Sequence, residues 1–220
     1  MKTTDRRSVR TRLALREALA DEIHATGDLS RVTVTGVTER ADVTRRTFYS
    51  HYKDIPTLVT AIEDETMADL VPLAHKISQV TLPELEVAIH EFRPCPGSED
   101  VLAYFREHGN VLSALLGEGG DPAFAKRIQT MVCEVVQSRA LDGFSTKALA
   151  LFDYYLTFVV AAEVGVLVRW LTAGMAESDR TMACIMTSLV FIRPGDLYGR
   201  PIDFDIPSIF CSAVIQMKEL

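Results

Sequence analysis

Leu15, Leu19 and Ile23 recur every fourth position between Arg12 and Ala25, a spacing that predicts a supporting helix with one buried stripe. Val34, Val37 and Ala41 repeat the pattern over a shorter stretch, with Thr33 placed to cap it. After the link Asp42-Val43-Thr44, Phe48 and Tyr52 fall four apart and predict a second short helix behind an N-cap at Thr44. Asp54 can cap a fourth helix with Pro56 in its first turn, running through Leu58, Ile62 and Leu70 to about His75. A short helix is expected over Pro83–Phe92, closed by the breaker Arg93-Pro94-Cys95-Pro96-Gly97-Ser98. Longer ones are expected at about Glu99–Leu116, Pro122–Ala140, Thr146–Thr172 and Ser178–Ile192. The pattern stops at Arg193-Pro194-Gly195-Asp196. Ile202, Phe204 and Ile206 then alternate like a strand, and Ile209 to Met217 suit a final turn or two of helix. The expected class is all-α.

The outward face of the 43–54 segment is made of donors. With Phe48 and Tyr52 turned inward, Arg45, Arg46, Tyr49 and the Ser50/His51 edge point out, and Lys53 closes about three helical turns. Two short helices joined by a tight turn form the helix-turn-helix arrangement, in which the second helix enters the major groove and the first crosses the backbone. With the supporting helix, three helices make a small DNA-reading headpiece.

From Thr33-Val34 through Ala41-Asp42-Val43-Thr44-Arg45-Arg46-Thr47-Phe48-Tyr49-Ser50-His51-Tyr52-Lys53-Asp54, the chain resembles the DNA-binding signature of the TetR (tetracycline-repressor-like) transcriptional regulators. The resemblance is close over roughly the first quarter of the sequence and looser beyond, through an all-helical pattern of similar length. It implies an N-terminal helix-turn-helix, a helical C-terminal domain that dimerises and holds a small effector, and a near-palindromic double-stranded operator. Domains are accordingly expected at 1–53 (DNA-binding, with a basic N-terminal arm), 54–192 (effector-binding and dimerisation) and 193–220 (a tail without an assigned role). By position, the resemblance makes Arg45, Arg46 and Thr47 the groove-facing residues and Thr33, Tyr49, His51 and Lys53 phosphate contacts, with Thr35 and Thr44 in the same interface. Arginine pairs bidentately with guanine O6 and N7, whereas phosphate donors set register without reading sequence. Two positions depart from the family pattern. Asp42 stands where glycine is common in the turn, a place that suits positive φ, and Gly36 inside the first motif helix costs about 1 kcal/mol relative to alanine.

Charge sharpens this picture. The net charge of −7 argues against a general nucleic-acid binder, yet residues 1–53 hold 11 Lys and Arg against 7 Asp and Glu, while residues 54–220 hold 12 against 23. Arg6, Arg7, Arg10 and Arg12 lead into the first helix, where an arm would reach DNA phosphates or the minor groove, or stay a solvated tail.

The Thr146–Thr172 helix has one apolar stripe of Phe152, Leu156, Val159, Val166 and Trp170, and a neighbouring one of Tyr155, Phe158, Ala162 and Gly165. Apolar surface on two sides needs two partners: the chain's own domain, and a second subunit approached at Ala161, Ala162 and Gly165. The expected dimer contacts are Ala162, Gly165, Trp170, Met182, Ile185 and Leu189, the family's last two long helices forming a four-helix bundle across a twofold axis. A single intramolecular bundle is the alternative. For an effector pocket, residue type alone selects Phe105, His108, Met131, Phe152, Tyr155 and Phe158, although core packing explains each as well.

Other chemistry is not signalled. The sequence lacks H-E-x-x-H, a G-x-S-x-G elbow, a Walker lysine and a dinucleotide fingerprint, so an enzyme is not expected. The Gly117-Glu118-Gly119-Gly120-Asp121 cluster reads as an interhelical turn. Cys95, Cys133, Cys184 and Cys211 form no C-x-x-C pair and no apolar leader opens the sequence; a reducing cytoplasm is expected, without metal or cofactor. Asp153, Glu163 and Arg169 interrupt the apolar stretch Leu149–Leu171, which points to a buried helix rather than a membrane span. The expected activity is repression relieved by a small-molecule effector. Activation by the same type of protein, or an effector-binding dimer whose head no longer reads DNA, are the alternatives.

Overall fold

The computed structural model describes residues 2–140 and 146–190. The chain is all-α. Its helices are α1 (Lys2–Thr26), α2 (Val34–Arg40), α3 (Arg45–Tyr49), α4 (Ile55–Ser78), α5 (Leu82–His90), α6 (Ser98–Glu107), α7 (Gly109–Leu116), α8 (Pro122–Ala140), α9 (Thr146–Thr172) and α10 (Asp179–Leu189), with a 3-10 turn at Leu29–Arg31. The expected strand and final helix beyond 193 lie outside the described residues.

The headpiece closes because each of its helices donates one apolar stripe. Leu15, Leu19 and Ile23 of α1, Val37 of α2, Phe48 of α3 and Leu58 and Ile62 of α4 are all buried in the core. Helix starts follow local chemistry: the Thr33, Thr44 and Asp54 side chains accept from the backbone N–H of Gly36, Thr47 and Thr57. α1 begins at Lys2, so the four arginines expected on an N-terminal arm sit on an exposed helical extension, with Arg6, Arg7, Arg10 and Arg12 all exposed.

α4 leads from head to body and carries Pro72, which has no N–H to offer the Ala68 carbonyl. It is clamped to α8 by Arg127, whose guanidinium meets Glu63 at 2.6 Å and Asp64 at 2.6 Å. Glu63 is buried, and desolvation, with the Asp121 charge behind it, pushes its carboxyl above the ordinary range while Arg127 pulls the other way.

The segment expected as one helix over Glu99–Leu116 is two. The chain breaks at His108 (φ −101°, ψ 18°), and Gly109 begins α7 fully buried under the Met175 thioether, where an added Cβ would collide with the Met175 methyl group. Met175 itself adopts φ 52°, and its N–H returns to the Trp170 carbonyl at 2.9 Å. The break is therefore set by a contact between residues far apart in sequence.

α9 buries Leu156, Val160, Val164, Leu167, Trp170 and Leu171 against the body. By length and composition its Phe152–Thr172 portion would suffice to cross a membrane, and a third of it is buried here. We read it as a core helix: the inner stripe packs on α7 and α8, and Asp153 accepts from Gln137 of α8 at 2.7 Å. The opposite side presents Tyr154, Tyr155 and Phe158, exposed at 72%, 46% and 71%, beside exposed Ala161, Ala162 and Gly165. A Cβ added at Gly165 would meet only open space.

Two expected dimer contacts require correction. Trp170 is 3% exposed and stacks under the Arg106 guanidinium, 5.0 Å from the ring centroid, and Met182 is 5% exposed. Arg106 also reaches Asp179 and the carbonyls of Met175 and Glu177, so the α9–α10 corner folds over α6 and takes both apolar side chains inward. Ile185 is half-buried, and Leu189 stays on the surface at 38% exposure.

Candidate nucleic-acid interface

α3 is only five residues long, so the expected three turns from 43 to 54 shrink to about one and a half. Ser50 caps it in αR conformation, and His51 to Asp54 turn the chain into α4. What holds so short a helix in place is its buried side. Phe48 is fully enclosed and meets the Tyr49 ring edge-on at 5.6 Å and the Tyr52 ring at 6.1 Å. Burial raises the Tyr52 phenol above its ordinary pKa.

The link from α2 to α3 has the geometry its residues suggest. Asp42 sits at φ 51°, and the Val43 N–H returns to the Thr38 carbonyl at 3.0 Å, closing α2 with a left-handed residue. Gly36 has a second role that spacing alone does not reveal. An added Cβ there would collide with the Glu22 carboxylate, which crosses from α1 to pair with Arg40 of α2 at 2.5 Å. The glycine lets α1 and α2 approach.

With that scaffold fixed, Thr33, Thr44, Arg45, Arg46, Tyr49 and Lys53 are exposed, while Thr35, Thr47 and His51 are half-buried. Tyr49 keeps 58% of its surface in solvent although its ring edge packs on Phe48. The two arginines differ. The Arg45 Nη2 donates to the Thr35 hydroxyl on α2, whereas the Arg46 side chain makes no ion pair or hydrogen bond among the described residues. Thr44 is engaged in capping: its hydroxyl accepts from the Thr47 N–H at 3.1 Å and lies 2.9 Å from the Thr47 hydroxyl. The His51 ring stacks loosely on Tyr52 at 6.2 Å. Of the nine expected residues, direct contacts join Arg45 to Thr35 and Thr44 to Thr47, and six are exposed to solvent.

The expected effector residues are not brought together in this way. Phe105 and Met131 are buried in the body core, and Phe152 is half-buried. His108 lies at the α6–α7 break with its ring 4.4 Å from Tyr104. Tyr155 and Phe158 face outward from α9, because their stripe lies opposite the one that packs inside. None of the six lines either of the two described cavities, one at the junction of α1, α7 and α9 and the other beside α5. Residue type alone does not separate these roles, because the same apolar side chains serve core, pocket and surface.

Sequence reasoning did not find the cross-element polar contacts. Arg127 with Glu63 and Asp64, Glu22 with Arg40, and Asn110 Nδ2 with Glu17 (2.9 Å) and Asp21 (3.1 Å) join residues from 18 to 93 positions apart. No periodicity or local motif marks such pairs.

Three known proteins or families are similar to parts of the chain. A TetR-type family model described as "Transcriptional regulator C-terminal region" matches residues 94–191. The HTH-type transcriptional regulator YxbF of Bacillus subtilis (strain 168) is 31% identical over 91 residues, which is 40% of this chain and 24% of that protein; the match thus spans about a quarter of the relative's length. The crystal structure of a TetR transcriptional regulator from Streptococcus agalactiae 2603V superposes with a TM-score of 0.51 at 22% identity, covering 85% of this chain and 97% of that one, a likeness of fold. With a helix-turn-helix head, an all-α body and a C-terminal region that matches the TetR-type model, the chain is similar to the TetR transcriptional regulators.

Proposed function

We propose that the chain is a non-enzymatic, cytoplasmic, homodimeric regulator that reads a near-palindromic DNA operator with α3 and releases it when a small effector binds. The observation that carries this reading is the division of α3 into an enclosed Phe48 side and an exposed Arg45/Arg46 side, with Tyr49 and Lys53 flanking it. A helix needed only for packing requires the first side and not the second. Arg46 is free to meet a base edge, and Arg45 is held by Thr35, so Thr35 acts by orienting an arginine. Thr33, Tyr49, His51 and Lys53 are assigned to phosphates, Thr44 and Thr47 to the cap and the groove side.

In the same reading, residues 1–53 form the DNA-binding domain, 54–192 the effector and dimerisation domain, and 193–220 a tail without an assigned role. The exposed Tyr154, Tyr155, Phe158, Ala162 and Gly165 face of α9, continued by Leu189 of α10, is the surface for a second copy. Twofold pairing presents two heads to half-sites about one turn of DNA apart. An effector acts by preferring a head spacing that fits DNA poorly, since a ligand shifts an equilibrium only through differential affinity.

Fluorescence anisotropy with DNA from upstream of the chain's own coding sequence tests this. We expect a complex of one dimer per palindrome that weakens steeply as salt rises. Intact dimers that show no sequence preference at low salt would instead identify a head that no longer reads DNA.

A further inference from the structure

α5 and the segment after it enclose a groove of about 380 Å³. One wall is α5 itself, with Pro83, Val87 and Ala88, and the other is the breaker, with Pro94 and Pro96. The chain doubles back here because Phe92 takes φ 49° and the Arg93 N–H returns to the Ala88 carbonyl at 2.7 Å, closing α5 with a left-handed residue. The groove presents apolar surface to solvent: Val87 is 51% exposed, neighbouring Phe92 63%, and Pro83 and Pro96 are exposed. The two charged side chains along it already have partners. The Glu84 carboxylate accepts from the Thr81 N–H at 2.8 Å, and the Arg93 Nε pairs with Glu91 at 2.9 Å. An apolar occupant therefore suits it better than a charged one.

The breaker wall is fastened to the last turns of α10. Cys95, between the two prolines, donates its N–H to the Thr187 hydroxyl at 2.9 Å, and the Cys184 Sγ lies 3.4 Å from the Phe92 carbonyl. α10 ends at Leu189, and residues 191–220 lie beyond the described part, so that stretch of chain sets out from beside the groove. Its sequence from 202 to 206 is Ile-Asp-Phe-Asp-Ile. An extended chain from Val190 to Ile202 reaches at most roughly 40 Å, whereas α5, with nine residues, is about 14 Å long. The connection is long enough to bring 202–206 back along α5.

We propose that residues 202–206 of the same chain dock in this groove in extended form, with Ile202, Phe204 and Ile206 turned onto Val87 and the prolines and Asp203 and Asp205 turned to solvent. The alternation of the sequence suits this, because side chains of an extended segment point to opposite faces in turn. Tethering favours this occupant over a separate one. A segment joined to α10 meets the groove at an effective concentration on the order of millimolar, which a free partner lacks. The inference depends neither on how α3 reads DNA nor on how the α9 faces pair.

Photo-crosslinking of the full chain tests it, with the photoreactive analogue p-benzoylphenylalanine at position 204. Heavy-isotope-labelled and unlabelled chains are mixed, allowed to exchange partners and irradiated, and the linked peptides are identified by mass spectrometry. Position 204 should link to the stretch 83–96, both halves of each product carrying the same isotope label. Val87→Glu should lower the yield at least about fivefold, as should replacing Ile202 and Ile206 by serine. Val87 is half in solvent, so thermal unfolding of Val87→Glu should match the parent. Absence of links to 83–96, or a yield untouched by Val87→Glu, would overturn the assignment. Links that join labelled to unlabelled chains would overturn it too, giving the groove to a second copy.

Discussion

Arg45 and Arg46 are chemically identical neighbours in different surroundings. One is held to α2 through the Thr35 hydroxyl and the other is exposed, with no ion pair or hydrogen bond of its side chain among the described residues. Both are expected to discriminate bases, and a bidentate arginine–guanine contact is worth roughly 1–3 kcal/mol of discrimination. Arg45→Ala and Arg46→Ala should therefore relax preference among operator variants, each at its own base pair. Lys53→Ala, at the exposed turn after α3, should weaken all sequences alike and lower the salt slope by about one unit. Anisotropy titrations over a set of operator variants and salt concentrations separate the two behaviours. Equal losses for all three variants on every sequence would end this division of labour.

At the scale of the element, α9 holds an acid that its packing disfavours. Burial pushes Glu163 up from 4.5 to about 7. An acid with a raised folded-state pKa binds its proton more tightly in the folded chain than in the unfolded one, so stability is complete below about pH 4.5 and falls as pH rises toward 7. The full loss above that window is at most about 3 kcal/mol. Glu163→Gln should flatten this slope and make the protein more stable than the parent near pH 8, as read by thermal or urea unfolding. A parallel pH dependence in parent and variant would show that Glu163 is not its source. The same scale explains the α6–α7 break. Apolar spacing from Val101 to Leu116 suits one continuous helix, but Met175 occupies the space that a side chain at position 109 would need.

For the whole molecule, the proposed assembly rests on the outward face of α9. Phe158 is 71% exposed and lies beside Tyr154, Tyr155 and Ala162, a contiguous apolar surface of the kind that marks an interaction site. Phe158→Asp should leave the monomer folded, because the side chain contributes little to the core, while converting dimer to monomer in light scattering and reducing operator affinity by removing the second head. A variant that remains dimeric would place the interface elsewhere. Asn110 on α7 ties the body to the head by reaching Glu17 and Asp21 of α1, and Arg127 clamps the connecting helix α4 to α8.

Helix positions, caps and the inward side of α3 were legible in the sequence because they depend on neighbours within four residues. Thr33, Thr44 and Asp54 cap where their spacing predicts, Asp42 takes the positive φ its turn suits, and Phe48 is enclosed. The tertiary structure alone decided which of two apolar stripes on α9 turns inward, why Trp170 and Met182 leave the surface, and where the long α6–α7 segment breaks. Each of those outcomes follows from contacts between residues distant in the chain, whose complementary shape and charge leave no periodic trace.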